Sequence, residues 1–477
     1  MSAALLHMYM GTGKSKVLLD ILQNVPEIRT VLLVVPKRVV TVWPKELVKH
    51  LVDPNEWRVV VLANGPIDKR AKELQKQAAE VQGTALRFLV ITNYDAVWRG
   101  KLGEWLMGQR WDLVAADEVQ RIKSSGGKTS RWFAKLRSQA RRRIGMSGSP
   151  TPHSFLDAFG VFRFLDAAIF GYSFIMFRRK YANFHPSADL QRAAHGAALM
   201  INPATGNLFA SREVEEEFKR RYASITYYAG PEVLDLPSET DQEVYCELEG
   251  PTAKMYKALD GDLVARHRKG LVTAANRMVL VTRLQQVASG YAVIEPDWFD
   301  LDSAARLGVR PCEEVVSRAK EKLLAEVLEE IGSNRLSCFS EPIIIFARFV
   351  HDLARAKQVW KETFPDEPEA LELSGKRDEH EYWQTGESRC LVAQMRAGSL
   401  GIDLTRARYA IYYSLDFSRE AFQQSRARIH RPGQKRTVAH VYLLTRNTVD
   451  EVLLRGLRRG QDLQDAFDDW LRERQDK

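Results

Sequence analysis

The chain has 477 residues, enough for two or three domains, and is 45% hydrophobic and 27% charged, as is typical of a globular protein. Lysine and arginine exceed aspartate and glutamate by nine (70 against 61), which favours an anionic partner such as nucleic acid. The four cysteines form no CxxC pair, and no apolar run reaches the roughly 18 residues of a bilayer span, which argues against a zinc ribbon, a disulfide framework and a membrane protein. No secretory leader is evident, so we expect a cytoplasmic location, in a bacterium or an infected host.

Over the first ~150 residues, short apolar runs alternate with amphipathic stretches. This alternation predicts a parallel β-sheet covered by helices. Each run ends in polar or small residues, as expected where the carboxyl end of a strand enters a functional loop. The runs are Thr30–Pro36, Trp57–Ala63, Leu86–Tyr94, Trp111–Glu118 and Arg142–Pro150.

The alternation stops and later returns. Residues 156–228 are aromatic and basic and are predicted to be helical, and residues 231–250 have the pattern of a connector and an edge strand. We therefore predict an α/β protein with a first lobe at 1–155, a helical insertion at 156–228, and a second lobe with a charged helical tail at 229–477. The apolar runs of the second lobe are Pro342–Phe349, Ser388–Met395, Arg408–Asp416 and Val438–Thr445.

The stretch MGTGKS, residues 10–15, has the composition of a phosphate-binding loop. Such a loop needs small residues that let main-chain N–H groups approach phosphates, a lysine for the β and γ oxygens, and a hydroxyl for Mg²⁺. Gly11, Thr12, Gly13, Lys14 and Ser15 supply these groups. The strict motif has a glycine where this chain has a methionine at position 8, so the stretch alone is equally compatible with an ordinary glycine turn.

Two acids follow one of the predicted strands. An ATPase of this kind needs one acid at a strand end to hold Mg²⁺ and a second to polarise the attacking water. Asp117 and Glu118 in LVAADEVQ stand at that place. Surface carboxylates also end strands in many α/β proteins, but the acids and the glycine loop together predict an ATP site.

A third pattern lies near the carboxyl terminus, in QQSRARIHRPGQ. Gln424, Arg428 and Arg431 are spaced i, i+4 and i+7, which predicts one face of a helix. Arginines so placed can stabilise the charge of a transferring γ-phosphoryl group. An isolated cluster of this kind would more often be a solvated basic helix.

These stretches stand in an order that resembles the superfamily-two helicase-type ATPases of the Swi/Snf class, including bacterial and phage members. The resemblance implies two RecA-like parallel-sheet lobes, with ATP and Mg²⁺ as cofactors. The matching stretches are MGTGKS, VVPKRVVTVWPKEL, ITNYDAVW, DEVQRIK, MSGSPTP, IIIFARF, MRAGSLGIDLT and QQSRARIHRPGQ.

The resemblance also implies roles for individual residues. Lys14 and Ser15 would bind phosphate and Mg²⁺, Asp117 would hold Mg²⁺, and Glu118 would activate water. Further implied roles are arginine fingers at Arg428 and Arg431, nucleotide contacts at Gly401, Asp403 and Gln424, and a link between the nucleotide and DNA sites at Ser147 and Ser149.

Contacts with a nucleic-acid backbone are implied for strand-end residues of both lobes, whose polar groups suit phosphate positioning rather than base reading. We rate helix packing as the more natural role for Trp43, and Tyr94 and the basic stretch FRRKY stay open between DNA contact and structure. The implied contacts are Pro36, Lys37, Trp43, Thr92, Asn93, Tyr94, Arg348, Gln394 and Arg396.

The chain departs from the family pattern at two places. The acidic motif reads DEVQ rather than DEAH; Gln120 cannot act as a base, but that position is thought to couple the lobes, so hydrolysis should survive. Ten residues precede Gly11, without the glutamine-bearing segment that the resemblance implies for adenine binding. Either the chain is truncated or adenine is held otherwise, and we expect weak discrimination among nucleoside triphosphates.

The leading hypothesis is an ATPase motor that moves along double-stranded DNA as its lobes close and reopen. The alternatives are a strand-unwinding helicase, a DNA-binding scaffold with impaired ATPase, and the motor subunit of a nuclease complex. No wedge element for unwinding and no nuclease motif is evident in the sequence. Duplex DNA is therefore the expected partner, held through its backbone with steep salt dependence.

Overall fold

The computed structural model describes residues 2–50, 53–152, 154–184, 199–200, 202, 207–262, 264–267, 270–273, 277–294, 312–333, 341–398 and 402–459. By its internal contacts the chain divides into two compact units, Met1–Asp235 and Leu236–Lys477. Among the described residues, no helix combines the length and the apolar character needed to cross a bilayer.

The first unit is a seven-stranded sheet in the order β3-β4-β2-β5-β6-β1-β7, and its strand pairs are all parallel. Its strands are β1 (Ala3–Met8), β2 (Thr30–Val35), β3 (Trp57–Val61), β4 (Arg87–Asn93), β5 (Trp111–Asp117), β6 (Ala140–Ser147) and β7 (Thr226–Ala229). Its helices are α1 (Lys14–Asn24), α2 (Trp43–His50), α3 (Ile67–Val81), α4 (Gly100–Gly108), α5 (Lys128–Leu136), α6 (Ala158–Leu165), α7 (Ala167–Phe170), α8 (Phe174–Tyr181) and α9 (Arg212–Ala223).

The alternation of side chains along β2 shows how this sheet is held. Val31, Leu33 and Val35 pack on one face with the apolar side of α1, whereas Leu32 and Val34 belong to the core on the other face. Burial on both faces is the reason that parallel strands appear in the sequence as continuous apolar runs. It also leaves the carboxyl ends of the strands as the edge from which functional loops project.

The second unit contains a six-stranded parallel sheet in the order β14-β15-β13-β16-β17-β8. Its strands, with two short antiparallel pairs, are β8 (Glu239–Cys246), β9 (Val264–His267), β10 (Gly270–Thr273), β11 (Tyr291–Ile294), β12 (Cys312–Val315), β13 (Ile343–Ala347), β14 (Leu371–Leu373), β15 (Cys390–Gln394), β16 (Tyr409–Tyr412) and β17 (Val438–Thr445). Its helices are α10 (Gly250–Asp262), α11 (Arg277–Ala288), α12 (Ala319–Ser333), α13 (Val350–Thr363), α14 (His380–Thr385), α15 (Met395–Gly398), α16 (Arg419–Ile429) and α17 (Val449–Arg459).

The predicted α/β fold with two parallel-sheet lobes is confirmed, and each predicted apolar run overlaps a strand, although β6 begins at Ala140, two residues before the predicted run. The segment 156–228 is helical over much of its described length, but its helices belong to the first unit, and its last residues form the edge strand β7 beside β1. The short strand β14 was not predicted, because its three residues carry too little apolar pattern. The predicted edge strand near residue 240 is β8, which pairs with β17.

Candidate nucleotide and nucleic-acid sites

The glycine loop joins β1 to α1, and its conformation requires glycine. Gly11 and Gly13 have φ angles of 84° and 91°, in the left-handed region that L side chains rarely adopt. The Lys14 Nζ lies within the loop and donates to the carbonyl oxygens of Met8 (2.9 Å) and Tyr9 (3.2 Å). Lys14 and Ser15 are the first residues of α1, so both stand where a helix N-terminus favours an anion.

The acid pair stands at the end of β5, two strands from β1 in the sheet. Burial and the neighbouring Glu118 carboxylate raise the pKa of Asp117 to about 6, while Lys14 and a hydrogen bond from Trp43 oppose that shift. Glu118 has φ 52° and ψ 55°, and is one of two non-glycine residues with positive φ among those described. Backbone strain of this kind is kept where surrounding structure enforces it, often at functional sites.

Trp43 was expected to pack a helix, and it does more than that. Its side chain is buried, and its indole N–H donates to Asp117 Oδ2 at 3.4 Å. Tyr94, equally buried, donates its hydroxyl to the Asp117 main-chain carbonyl at 2.6 Å. Both aromatic residues therefore support the acid pair, a role that a tryptophan or tyrosine in an apolar segment does not reveal in sequence.

A line of hydrogen bonds leads from the acid pair to the next strand. The Gln120 side-chain amide donates through Nε2 to Glu118 Oε2 at 2.7 Å, and its Oε1 accepts from the Ser147 hydroxyl at 2.7 Å. Ser147 Oγ then accepts from the main-chain N–H of Ser149 at 2.9 Å. Gln120 and Ser147 are buried, so the structure connects Glu118 to the SGSP loop through side chains shielded from solvent.

The strand-end residues implied as backbone contacts in the first unit differ in exposure. Lys37 is exposed directly after β2, whereas Pro36 is buried. Thr92, Asn93 and Tyr94 are at most 3% exposed, and Asn93 Oδ1 accepts from the Ala96 N–H at 3.0 Å. Because they are buried, Thr92, Asn93 and Tyr94 have a structural role in this conformation. Their contact with a nucleic-acid backbone stays a prediction.

Arg348, Gln394 and Arg396 lie together at the carboxyl ends of β13 and β15. The Arg348 guanidinium packs over the Phe417 ring at 3.5 Å, and Gln394 Nε2 donates to the Arg348 carbonyl at 3.4 Å. Arg396 makes a bidentate pair with Asp416 (2.8 and 3.1 Å) while its side chain stays 67% exposed. Parallel strand ends thus bring residues that are distant in sequence to one edge.

The expected helix of Gln424, Arg428 and Arg431 is α16, but the prediction that all three share one helix face is wrong. The helix ends at Ile429, so Arg431 lies beyond it, where the chain turns into RPGQ. Gln424 is buried and donates to Glu420 within the helix at 3.1 Å. Arg431 makes no ion pair with any residue that the structure describes, and its Nε is buried without a hydrogen-bond partner there.

Of the two predicted nucleotide contacts that precede this helix, Gly401 and Asp403, the structure describes only Asp403. Gly401 lies outside the described residues. Asp403 is exposed, and its Oδ1 accepts from the N–H and hydroxyl of Thr405 at 2.9 and 2.8 Å. The Leu404 N–H donates to the Arg428 carbonyl at 3.1 Å, which ties this loop to the end of α16.

Gln434 holds the same region in place, a role that the sequence did not predict. Its amide N–H₂ group donates to the carbonyl oxygens of Thr405 (3.0 Å) and Ala407 (2.9 Å), and its side chain is buried. The Gln in RPGQ therefore holds the loop after α16 against the GIDLT loop. Only its position two residues after a proline, in a motif of functional residues, could have suggested it.

The residues at the glycine loop and acid pair fit a magnesium triphosphate. Mg²⁺ in nucleotide sites takes one or two carboxylates, a hydroxyl and phosphate oxygens, rather than a full protein cage. Among the described residues, no group of three or more His, Cys, Asp or Glu side chains gathers to form such a cage. The raised pKa of Asp117 marks a carboxylate whose charge is poorly compensated, as suits a cation ligand.

Comparison with known proteins gives the family. The SNF2-related domain matches residues 2–290, which is more than half of the chain, and the helicase conserved C-terminal domain matches residues 320–433. A Bacillus subtilis protein named as an ATP-dependent helicase/translocase, YwqA, is 24% identical over 93% of this chain and 44% of its own length. The DNA repair and recombination protein RAD54B of Gallus gallus is 21% identical over 93% of this chain and 48% of its own length.

The chain thus spans less than half the length of these two relatives. Among solved structures, a Sulfolobus solfataricus SWI2/SNF2 ATPase core in complex with dsDNA is 19% identical, covering 96% of this chain and 86% of that one, with a TM-score of 0.39. On the two domain matches, the chain belongs to the SNF2-related family of helicase-type ATPases.

Proposed function

We propose that this chain couples ATP hydrolysis to translocation along double-stranded DNA. The observation that carries the proposal is the buried line of hydrogen bonds from Glu118 through Gln120 to Ser147 and Ser149. A motor must transmit the state of its hydrolytic acid to the parts that hold its track. A scaffold with impaired ATPase would have no use for such a connection.

In the proposed reaction, the first unit holds the triphosphate. The main-chain amides of Gly11–Ser15 receive phosphate oxygens, and Lys14 exchanges its carbonyl partners for the β and γ oxygens. Glu118 orients the attacking water and accepts its proton, held in place by Gln120 and by its strained backbone. Mg²⁺, bound by Ser15 and Asp117, would supply charge neutralisation of the phosphates.

The second unit contributes positive charge to the same reaction. Arg428 and Arg431 stabilise the charge that spreads over the γ-phosphoryl oxygens in the transition state. Gly401, Asp403 and Gln424 are proposed to place this unit against the nucleotide. Closure and reopening of the two units during the ATP cycle then drives the step along DNA.

The proposed DNA contacts are made to phosphates. Lys37 in the first unit and Arg396 in the second are exposed cations at the carboxyl ends of strands, and Arg348 and Gln394 lie beside Arg396. Contacts of this type position a backbone without reading bases. We therefore expect sequence-tolerant binding whose affinity falls steeply with salt.

The test is the rate of ATP hydrolysis without DNA, with duplex, and with single strands of the same length. We expect duplex to raise the rate most, and Glu118→Gln to abolish the stimulated turnover while leaving nucleotide binding intact. Stimulation by single strands alone, together with strand separation on a forked duplex, would overturn the proposal in favour of an unwinding helicase. Absence of turnover under all conditions would favour a scaffold.

A further inference from the structure

The first strand of the second unit has an acidic face. β8 is the outer strand of its sheet, and Glu239, Asp241 and Glu243 occupy alternate positions along it. Because side chains alternate across a strand, these three carboxylates point to the same side. Like charges in a row repel one another, so such a face needs cations to hold it in a folded protein.

An arginine of helix α16 supplies the first of these cations. Arg426 Nη2 lies 3.0 Å from Glu239 Oε2, and its Nη1 donates to Asp241 Oδ1 at 2.6 Å. Arg458 of helix α17 covers the other end, at 3.3 Å from Asp241 Oδ2 and in a closer pair with Glu243. Two helices are therefore attached to one strand through two arginines.

Two histidines complete the attachment at the beginning of β8. His430, the residue that caps α16, places Nε2 2.6 Å from the Pro237 carbonyl oxygen, so this nitrogen is the N–H donor. His440 Nε2 lies 3.2 Å from Glu239 Oε2. The hydrogen bond with His440 and the charge of Arg426 outweigh the effect of burial and lower the pKa of Glu239 to about 2, which keeps this carboxylate ionised.

The attachment lies beside the arginines proposed to act on ATP. The side chains of Arg426 and His430 are 17% and 15% exposed, whereas those of their partners Glu239 and Asp241 are 37% and 32% exposed, so these ion pairs are partly shielded from water. Arg426 is two residues before Arg428, and His430 directly precedes Arg431. Any tilt or slide of α16 on β8 would therefore displace both guanidinium groups.

We propose that Arg426 and His430 are positioning residues for ATP hydrolysis, which hold α16 on the acidic face of β8 so that Arg428 and Arg431 are presented in one fixed geometry. This inference rests on the proposed function of Arg428 and Arg431. Preorganised charge is effective because it needs no rearrangement at the moment of reaction. Arg426 contacts Glu239, Asp241 and the Tyr442 hydroxyl, none of which is proposed to bind the nucleotide, so its effect is expected to act through its neighbours.

The test is a double-mutant cycle on the kcat of duplex-stimulated ATP hydrolysis. We expect Arg426→Gln to lower kcat about tenfold with little change in KM, since a small misplacement of a catalytic group can cost up to ~10²-fold. In an Arg428→Ala background, the same change should cost less than about tenfold, because the part of its effect that acts through Arg428 is already lost and only the part that acts through Arg431 remains.

A matched control separates positioning from simple stabilisation. Arg458→Gln removes an arginine from the same acidic face but from α17, and we expect it to lower the melting temperature without changing kcat. His430→Ala should lower kcat as Arg426→Gln does, and His430→Gln should restore part of it, because the glutamine amide can donate to the Pro237 carbonyl.

These variants distinguish failure of the proposed role of Arg428 from failure of the positioning role of Arg426 and His430. If Arg428→Ala hydrolyses ATP as fast as the unmodified chain, the proposed role of that arginine fails first. If Arg428→Ala is impaired but Arg426→Gln is not, or if the two losses multiply fully, the positioning inference alone is overturned. Equal loss of kcat in Arg458→Gln would likewise overturn it, since the network would then act only by stabilising the unit.

Discussion

The two units hold their functional side chains in different ways. In the first unit, main-chain geometry has a large part: Gly11 and Gly13 are left-handed, and Glu118 has a strained backbone, although Trp43 and Gln120 also hold the acid pair by side-chain hydrogen bonds. In the second, side-chain contacts do so, since α16 is attached to β8 through Arg426 and to the GIDLT loop through Gln434 and a Leu404 hydrogen bond. A short motif can contain the first kind of site, whereas the attachment of α16 to β8 joins Arg426 to Asp241, 185 positions apart in the chain.

The largest effect is expected at Arg431 of the second unit. Arg431→Ala should lower duplex-stimulated kcat by ~10³, as removal of an arginine finger does. Because Arg431 makes no ion pair with a described residue, the melting temperature should hardly change. Steady-state kinetics and thermal unfolding on one preparation check both points. A large drop in melting temperature with unchanged kcat would show that Arg431 has a structural role and no role in hydrolysis.

Since side-chain contacts are important in the second unit, we expect a buried ion pair to stabilise its core. Lys320 and Asp450 pair at 2.6 Å with side chains 1% and 3% exposed. Lys320→Met leaves a buried carboxylate uncompensated and should lower the free energy of unfolding by about 3–5 kcal/mol.

The control for this change is Lys361→Met, which breaks an ion pair of similar length, 2.9 Å, whose side chains are 68% and 74% exposed. Denaturant unfolding should show little effect of that substitution. Equal destabilisation by both changes would contradict the distinction between buried and exposed pairs.

The first unit should instead be sensitive to substitutions of glycines that have left-handed φ angles. Gly13→Ala meets no atom within 4 Å of the added Cβ, so its cost is the left-handed φ of 91° alone, about 1–2 kcal/mol, accompanied by a higher KM for ATP. Gly108→Ala, at the end of α4 and equally free of contacts, should be neutral or stabilising. Identical responses of the two glycines would show that backbone geometry does not limit the loop.

A smaller effect concerns pH. Burial is the main reason that the pKa of Asp352 is raised from 3.8 to about 7 in the folded second unit, against an opposing hydrogen bond from Ser414. The folded state thus binds a proton more tightly than the unfolded one, and stability should fall as pH rises from about 4 to 7. Asp352→Asn should make the slope of unfolding free energy against pH shallower over that window, and an unchanged slope would exclude Asp352 as its source.

Much of the fold follows from the sequence because strands buried on both faces are continuous apolar runs, as in Thr30–Val35 and Ile343–Ala347. The glycine loop and acid pair follow because their chemistry needs particular residues at adjacent positions. The contacts of Trp43 and Gln434 could not be predicted, since a buried tryptophan and a loop glutamine have many roles. The end of α16 before Arg431 was also missed, because the i+7 spacing continues past the residue where the helix stops.

The proposed function is ATP-driven movement of this chain along intact duplex DNA. Its most direct test is displacement of a third strand from a triplex whose flanking duplex is the only entry site. We expect displacement that requires ATP, that is lost in Glu118→Gln, and that leaves the two duplex strands paired. ATP turnover stimulated by duplex without any displacement of the third strand would contradict it.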